Sequence, residues 1–258
     1  MDFFIDRGGT FTDLIAYDPS TSKYSSLKLL SVDPDNYPDA PREGIKRILE
    51  SITKKKIIGK VPTTMIRRIR MATTVATNAL LERKGQRVAL LITKGFADAL
   101  EIGNQARPSI FDLDIKAFEL LYEKVVQVDE RVLLGGADST VNGITGESVT
   151  ILKSPSLNEL IPKLLELKRM GISSIAICLC HSWTFSRHEL EIGKLCADMG
   201  FDNVTLSSKI MPMIKLIPRG NSACADAYLT PTLQAYITSF FSGFDNGIDS
   251  VKLEFMQV

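Results

Sequence analysis

At 258 residues, with 45% hydrophobic and 24% charged side chains, the chain is long enough to bury a sizeable core, and its net charge of +1 gives no field that would draw it to nucleic acid or a membrane surface. No apolar run approaches the roughly 20 residues of a membrane span, and Met1-Asp2 leads straight into a strand pattern, which predicts neither a spanning segment nor a secretory leader. Four cysteines at irregular spacing predict free thiols in a reducing, cytoplasmic compartment.

Residues 3–6 and 11–17 read as strands, and the link Arg7-Gly8-Gly9-Thr10 is short enough to make them an antiparallel hairpin. Residues 23–30 read as a third strand after the turn residues of "DPSTS". Ile45, Ile48, Leu49 and Ile52 recur at i, i+3, i+4, i+7 and predict one buried helix face. Pro41 suits the first turn of that helix, and the lysines at 54–56 suit the negative end of its dipole. "RIRM" predicts a short strand, residues 74–84 a helix stopped by Gly85, "RVALLIT" a strand buried on both faces, and residues 96–102 a short helix. The order β-β-β-α-β-α-β-α predicts a mixed sheet flanked by helices, in the α/β class.

Residues 103–149 are less regular, and "GGADSTVNGITGES" predicts an exposed connection. Alternation then resumes. Ser156 with Glu159, and Ser186 with Glu189, have the capping-box spacing at the starts of two helices. The first helix turns Leu160, Ile161, Leu164 and Leu167 inward, and Gly171 and Gly200 end the pair. Residues 172–180 predict a buried strand, and "NVTLS" another. Cys178, Cys180 and His181 lie on or beside the apolar run "SIAICLCH", where a fourth zinc ligand is not evident. They read as buried thiols and a structural histidine.

The stretch "FFIDRGGTFTD" carries the functional question. Glycines permit φ > 0 and close backbone approach, and successive amide N–H groups in such a turn can point at an anion. Threonine hydroxyls add donors, and an aspartate at a strand end can hold a hydrated Mg²⁺. Asp6, Gly8, Gly9, Thr10, Thr12 and Asp13 are therefore a candidate nucleotide-phosphate site. The pattern is not a Walker A loop, having no G-K-[ST], nor a dinucleotide fingerprint, because a strand follows the glycines. Taken alone, the turn reads first as a ligand-free type I′ or II′ hairpin. Set in the order β-β-β-α-β-α-β-α, it resembles the first phosphate loop of the actin/hexokinase/sugar-kinase superfamily, of ribonuclease H-like type.

Four longer blocks sharpen the resemblance: "IDRGGTFTD", "ATTVATNALLERKG", "EIGNQARPSIFDL" and "MPMIKLIPRGNSACADAYLTP". Together they are similar to the N-terminal portion of the hydantoinase A/oxoprolinase family, in its ATP-dependent 5-oxoprolinase branch, from residue 2 to about 240. The resemblance implies a hydantoinase/oxoprolinase N-terminal domain over residues 1–205 and the shortened start of a hydantoinase A domain over 206–258. It implies ATP-dependent hydrolysis of 5-oxo-L-proline to L-glutamate, a glutathione-cycle reaction, with ATP and Mg²⁺. An unstrained lactam is a poor electrophile, so ATP is expected to activate the amide oxygen before water attacks the ring carbon.

On this resemblance Asp6 holds Mg²⁺ through water and Gly8, Gly9 and Thr10 cradle the phosphates, while Thr12 and Asp13 support the turn or touch phosphate. In "TTVATN", Thr73, Thr74 and Asn78 offer hydroxyls, amides and a helix N-terminus to an anion, Thr74 joining Asp6 as a catalytic candidate; plain helix capping is the alternative. Arg107, and more weakly Arg219, pairs with the substrate carboxylate or is simply a surface arginine.

Two departures qualify the expectation. Ala72 stands where the family usually has glycine. Superfamily nucleotide sites also lie between two lobes, and no second "GGT" occurs here. The chain is therefore expected to be a half-site, completed by a C-terminal oxoprolinase portion or in a homodimer, with little turnover alone. The alternatives are a non-catalytic remnant or interaction module of the same fold and, against the missing second loop, a small kinase of the superfamily.

Overall fold

The computed structural model describes residues 1–104, 111, 113–114, 119–135, 141–245, 248 and 250–256. In chain order the elements are β1 (Asp2–Arg7), β2 (Phe11–Asp18), β3 (Lys23–Leu30), α1 (Ala40–Thr53), β4 (Arg68–Thr73), α2 (Val75–Leu81), β5 (Val88–Thr93), α3 (Ala99–Ile102), β6 (Lys124–Val128), β7 (Arg131–Leu134), β8 (Val141–Asn142), β9 (Ser148–Lys153), α4 (Leu157–Arg169), β10 (Ser174–Cys178), α5 (Arg187–Asp198), β11 (Asn203–Leu206), α6 (Ser207–Ile210), α7 (Leu216–Ser242) and β12 (Lys252–Met256). They form two compact units: Met1–Lys84 with Thr232–Val258, and Gly85–Pro231. No helix among the described residues is long and apolar enough to cross a membrane.

The sheet of the first unit runs β12-β4-β1-β2-β3 and is mixed, β1 pairing antiparallel with β2 and parallel with β4. Alternation along the strands sends Phe3, Ile5, Leu14, Ala16, Ile69 and Met71 to one face. There they pack with Ile45, Ile48 and Leu49 of α1 and Phe240 of α7. Each side chain of that size withdrawn from water contributes roughly 1.5–3 kcal/mol. Ile52 does not join this face: in the last turn before the left-handed Lys54, it stays 40% exposed. Asp39 caps α1 by accepting the Arg42 amide at 2.9 Å, and Pro41 occupies the first turn as expected. The opposite sheet face carries Asp6, Asp13 and Ile15, all exposed. Helix α2 is shorter than expected. Arg83, not Gly85, takes the positive φ after it, and Gly85 is required instead by the Tyr228 ring, which a Cβ there would meet at 2.1 Å.

In the second unit β11-β10-β5-β6 is all parallel, with a separate antiparallel sheet β7-β9-β8. Strand β5, the next strand of the predicted order, belongs here, and β12 fills the place beside β4 in the first sheet. The reason is burial: every residue of β5 and β10 is inaccessible. Such strands need cover on both faces, here supplied by α4 and α5 on one side and α3 with the first half of α7 on the other. Neither expected capping box forms, since Ser156 and Ser186 make no side-chain cap bond.

Candidate functional site

The site grows from the end of β1. Gly8 N–H donates to Phe11 O at 3.0 Å and closes the turn. Ser31, just past β3, ties the turn back. Its N–H donates to Thr10 O at 2.9 Å and its hydroxyl to Gly8 O at 2.7 Å. With that proton committed, the 2.9 Å contact between Ser31 Oγ and Thr12 Oγ1 has Thr12 as donor. A trans peptide points its carbonyl and the next N–H in opposite directions. Anchoring Gly8 O therefore turns Gly9 N–H away from Ser31, and the N–H groups of Gly9 and Thr10 have no protein partner among the described residues.

None of Gly8, Gly9 and Thr10 takes a positive φ, so the turn is neither type I′ nor type II′. Room is tight at both glycines. A Cβ on Gly8 would stand 3.0 Å from Phe11 O, and one on Gly9 3.1 Å from Asn78 Nδ2.

In register, Asp6 lies opposite Asp13 on β2 and Ala72 on β4, which puts all three on one face. Asp13 is held by Lys28 Nζ at 3.0 Å, an exposed pair worth little in stability. Asp6 has no protein partner among the described residues and its carboxylate is open to solvent. Thr12 is fully buried, so its hydroxyl supports the turn through Ser31.

The Thr74 amide donates to Arg7 O at 3.2 Å, and Asn78 Nδ2 donates to Thr74 Oγ1 at 3.3 Å. Helix α2 has only seven residues, and Thr74 makes no cap bond to it. Thr73 supplies a substitute, its Oγ1 accepting the Val75 amide at 3.3 Å. Thr74 and Asn78 thus brace β4 and the turn, with Asn78 against Gly9.

On the other face of β1, Arg7 stacks over the Tyr236 ring at 4.8 Å. The Tyr236 hydroxyl donates to Met71 Sδ at 3.2 Å, and burial pushes its pKa up, with the Asp39 charge adding to the effect. Burial also raises the Asp39 acid, against the Arg42 amide and the Arg42 and Arg7 charges. The Arg7 side chain makes no hydrogen bond or ion pair among the described residues, and its Nε is buried without a partner.

The remaining expected residues lie elsewhere. Arg107 is outside the described residues. Arg219 belongs to the second unit and is fully buried. It donates to Ser182, to Ser207 Oγ at 2.7 Å and to the carbonyls of Leu179 and Cys180 at 2.7 and 2.8 Å, with Glu189 at 3.7 Å. A guanidinium so enclosed is directed at its own chain, which corrects its reading as a substrate-facing arginine. Glu189 also accepts the Leu179 and Ser208 amides, both at 2.9 Å, rather than closing a capping box. His181 is half-buried, and burial lowers its pKa. The four cysteines are free thiols, Cys178 pushed up to about 12 by burial, and the described residues contain no metal-ligand cluster. Sequence reasoning missed Ser31, because nothing in "LLSVD" marks a serine that reaches back 23 positions to Gly8.

The hydantoinase/oxoprolinase N-terminal region matches residues 2–200. The chain is 52% identical to 5-oxoprolinase 1 of Arabidopsis thaliana, over 100% of this chain and 21% of the relative. It is 49% identical to a 5-oxoprolinase of Dictyostelium discoideum, over 99% and 21%. It thus spans about a fifth of the length of these curated relatives. The crystal structure of ATP-dependent caprolactamase from Pseudomonas jessenii shares the fold, with a TM-score of 0.75 at 22% identity, covering 100% of this chain and 35% of that one. A mixed sheet opened by a glycine hairpin, within a match of this extent, places the chain in the hydantoinase/oxoprolinase family.

Proposed function

We propose that the chain supplies the first phosphate-binding half of an ATP site for hydrolysis of 5-oxo-L-proline to L-glutamate. The remainder of a longer oxoprolinase, continuing from residues 206–258, would complete it. The observation that supports the reading is the turn itself. Two adjacent amide N–H groups, Gly9 and Thr10, are open while the carbonyl of Gly8 is tied back, and an unpaired carboxylate, Asp6, stands at the end of the strand that leads into the turn.

Gly9 and Thr10 bind and orient phosphate oxygens, each charge-assisted bond being worth roughly 1.5–3 kcal/mol. Asp6 would hold Mg²⁺ through its water shell, and the ion would supply positive charge to offset that of the phosphate. Asp13, already paired with Lys28, contributes less to the metal than Asp6.

The test compares Asp6→Asn with wild type for pyrophosphate binding at the Gly9 and Thr10 amide resonances, with and without Mg²⁺, beside a melting curve. Asp6 is exposed, so melting should be unchanged while the Mg²⁺-dependent part of binding is lost. In 5-oxoproline-dependent ATP hydrolysis by the completed enzyme the loss should be on the order of 10²- to 10³-fold. Equal affinity and equal Mg²⁺ dependence in the two proteins would return the turn to an ordinary hairpin.

A further inference from the structure

Arg7 ends β1 on the face opposite Asp6, immediately before the glycines. Arg7 is half-buried, and its guanidinium carbon lies over the Tyr236 ring at 4.8 Å, a contact that uses none of its N–H donors. Its neighbours leave those donors unused. The Asp39 carboxylate accepts the Arg42 amide and forms no ion pair with Arg7, and the Tyr236 hydroxyl is turned to Met71 Sδ. Buried nitrogens left without an acceptor are rare, roughly nine in ten such groups being satisfied, yet Arg7 Nε is one. Arg68 Nε is similarly unsatisfied, but its side chain has Glu254 beside it at 4.0 Å. Arg7 carries a permanent charge on a guanidinium without an acceptor, and it stands two positions before the first of two open amides.

We propose that Arg7 is an anion-binding residue of this turn, taking an oxyanion, carboxylate or phosphate, in its guanidinium fork. The inference extends the proposed phosphate site, and its phosphate arm rests on that reading. A planar fork matches two oxygens of either group, so the chemistry is shared and the source must be separated by experiment.

The experiment follows the Arg7 Nε–H resonance of the ¹⁵N-labelled chain, assigned by its loss in Arg7→Met. The titrants are pyrophosphate, L-5-oxoproline and 2-pyrrolidinone, the same lactam ring without its carboxylate. The resonance should move saturably with at least one oxyanion and not with pyrrolidinone. Arg7→Met should weaken that anion about tenfold or more and melt no lower than wild type, because it removes an unsatisfied nitrogen and keeps the apolar contact with Tyr236. A response to pyrophosphate alone assigns phosphate, and a response to 5-oxoproline alone assigns carboxylate. Should pyrophosphate leave the Gly9 and Thr10 amides still while 5-oxoproline moves Arg7, the phosphate reading of the turn fails and the Arg7 assignment stands. An Nε–H unmoved by either oxyanion overturns the assignment. So does an Arg7→Met variant that melts several degrees lower with anion affinity intact, which would make Arg7 the counter-charge of Asp39.

Discussion

Replacing Ser31 by alanine removes the hydroxyl that ties back the glycine turn, and the cost can be worked from its contacts. Ser31 Oγ serves two groups, Gly8 O at 2.7 Å and Thr12 Oγ1 at 2.9 Å. Gly8 is only half-buried, so its carbonyl can turn to water. Thr12 is fully buried, and a hydroxyl stranded there costs about 1–3 kcal/mol. Ser31→Ala should therefore destabilise the first unit by about 2 kcal/mol. Thr12→Val should cost about 1 kcal/mol, because Ser31 still has Gly8 O. The double variant leaves no stranded hydroxyl and should cost about 2 kcal/mol rather than the sum, a coupling of about 1 kcal/mol. The sole tryptophan, Trp183, lies in the second unit and is the wrong reporter. Native-state hydrogen exchange at the Phe3, Ile5 and Leu14 amides reads the first unit directly. A Ser31→Ala effect below about 0.5 kcal/mol, within the range of ordinary surface substitutions, or strict additivity in the double variant, would refute the reasoning.

Two further outcomes follow from the second unit. Arg219→Leu leaves Glu189 fully buried without its counter-charge and should cost about 3–5 kcal/mol in urea unfolding followed at Trp183, with much of the loss recovered in Arg219→Leu/Glu189→Leu; a single-variant loss under about 1 kcal/mol would mean the ion pair is not structural. Burial pushes the Cys178 and Cys196 thiols from 9.0 up to about 12, so the unfolded chain sheds these protons first and stability should fall as pH rises from about 9 toward 12; Cys196→Ala should flatten that slope, and an unchanged slope would count against the shift.

Much of the first unit was legible because period-2 and period-3.6 patterns record burial directly. Phe3, Ile5 and Leu14 alternate with Phe4, Asp6 and Asp13, and Ile45, Ile48 and Leu49 repeat along α1, as their burial requires. Sheet membership was not legible for β5. A run buried on both faces fits any covered sheet, and its neighbours β6 and β10 lie far along the chain. Spacing misled at Glu189, whose carboxylate accepts the Leu179 and Ser208 amides and the Ser207 hydroxyl, partners that only the fold brings to it. Arg219 misled for a related reason: residue type announces a charge but not whether solvent reaches it. At the turn, the glycines were visible and the φ values were not. The crowding at Gly9 depends on Asn78, which only the fold brings near.

The pairing of β12 with β4 bears on how the chain is made. Arg70 and Glu254 meet across 184 positions, with the entire second unit between them. On a ribosome the second unit is contiguous and can close as soon as Pro231 has emerged. The first unit must wait, its β4 edge unpaired and its core lacking Phe240 and Phe244 until α7 and β12 are synthesised. An open strand edge through that interval is a template for wrong pairing. Slowing translation between residues 84 and 232 should therefore lengthen the period in which the nascent protein depends on chaperones, although no residue of the finished fold has changed.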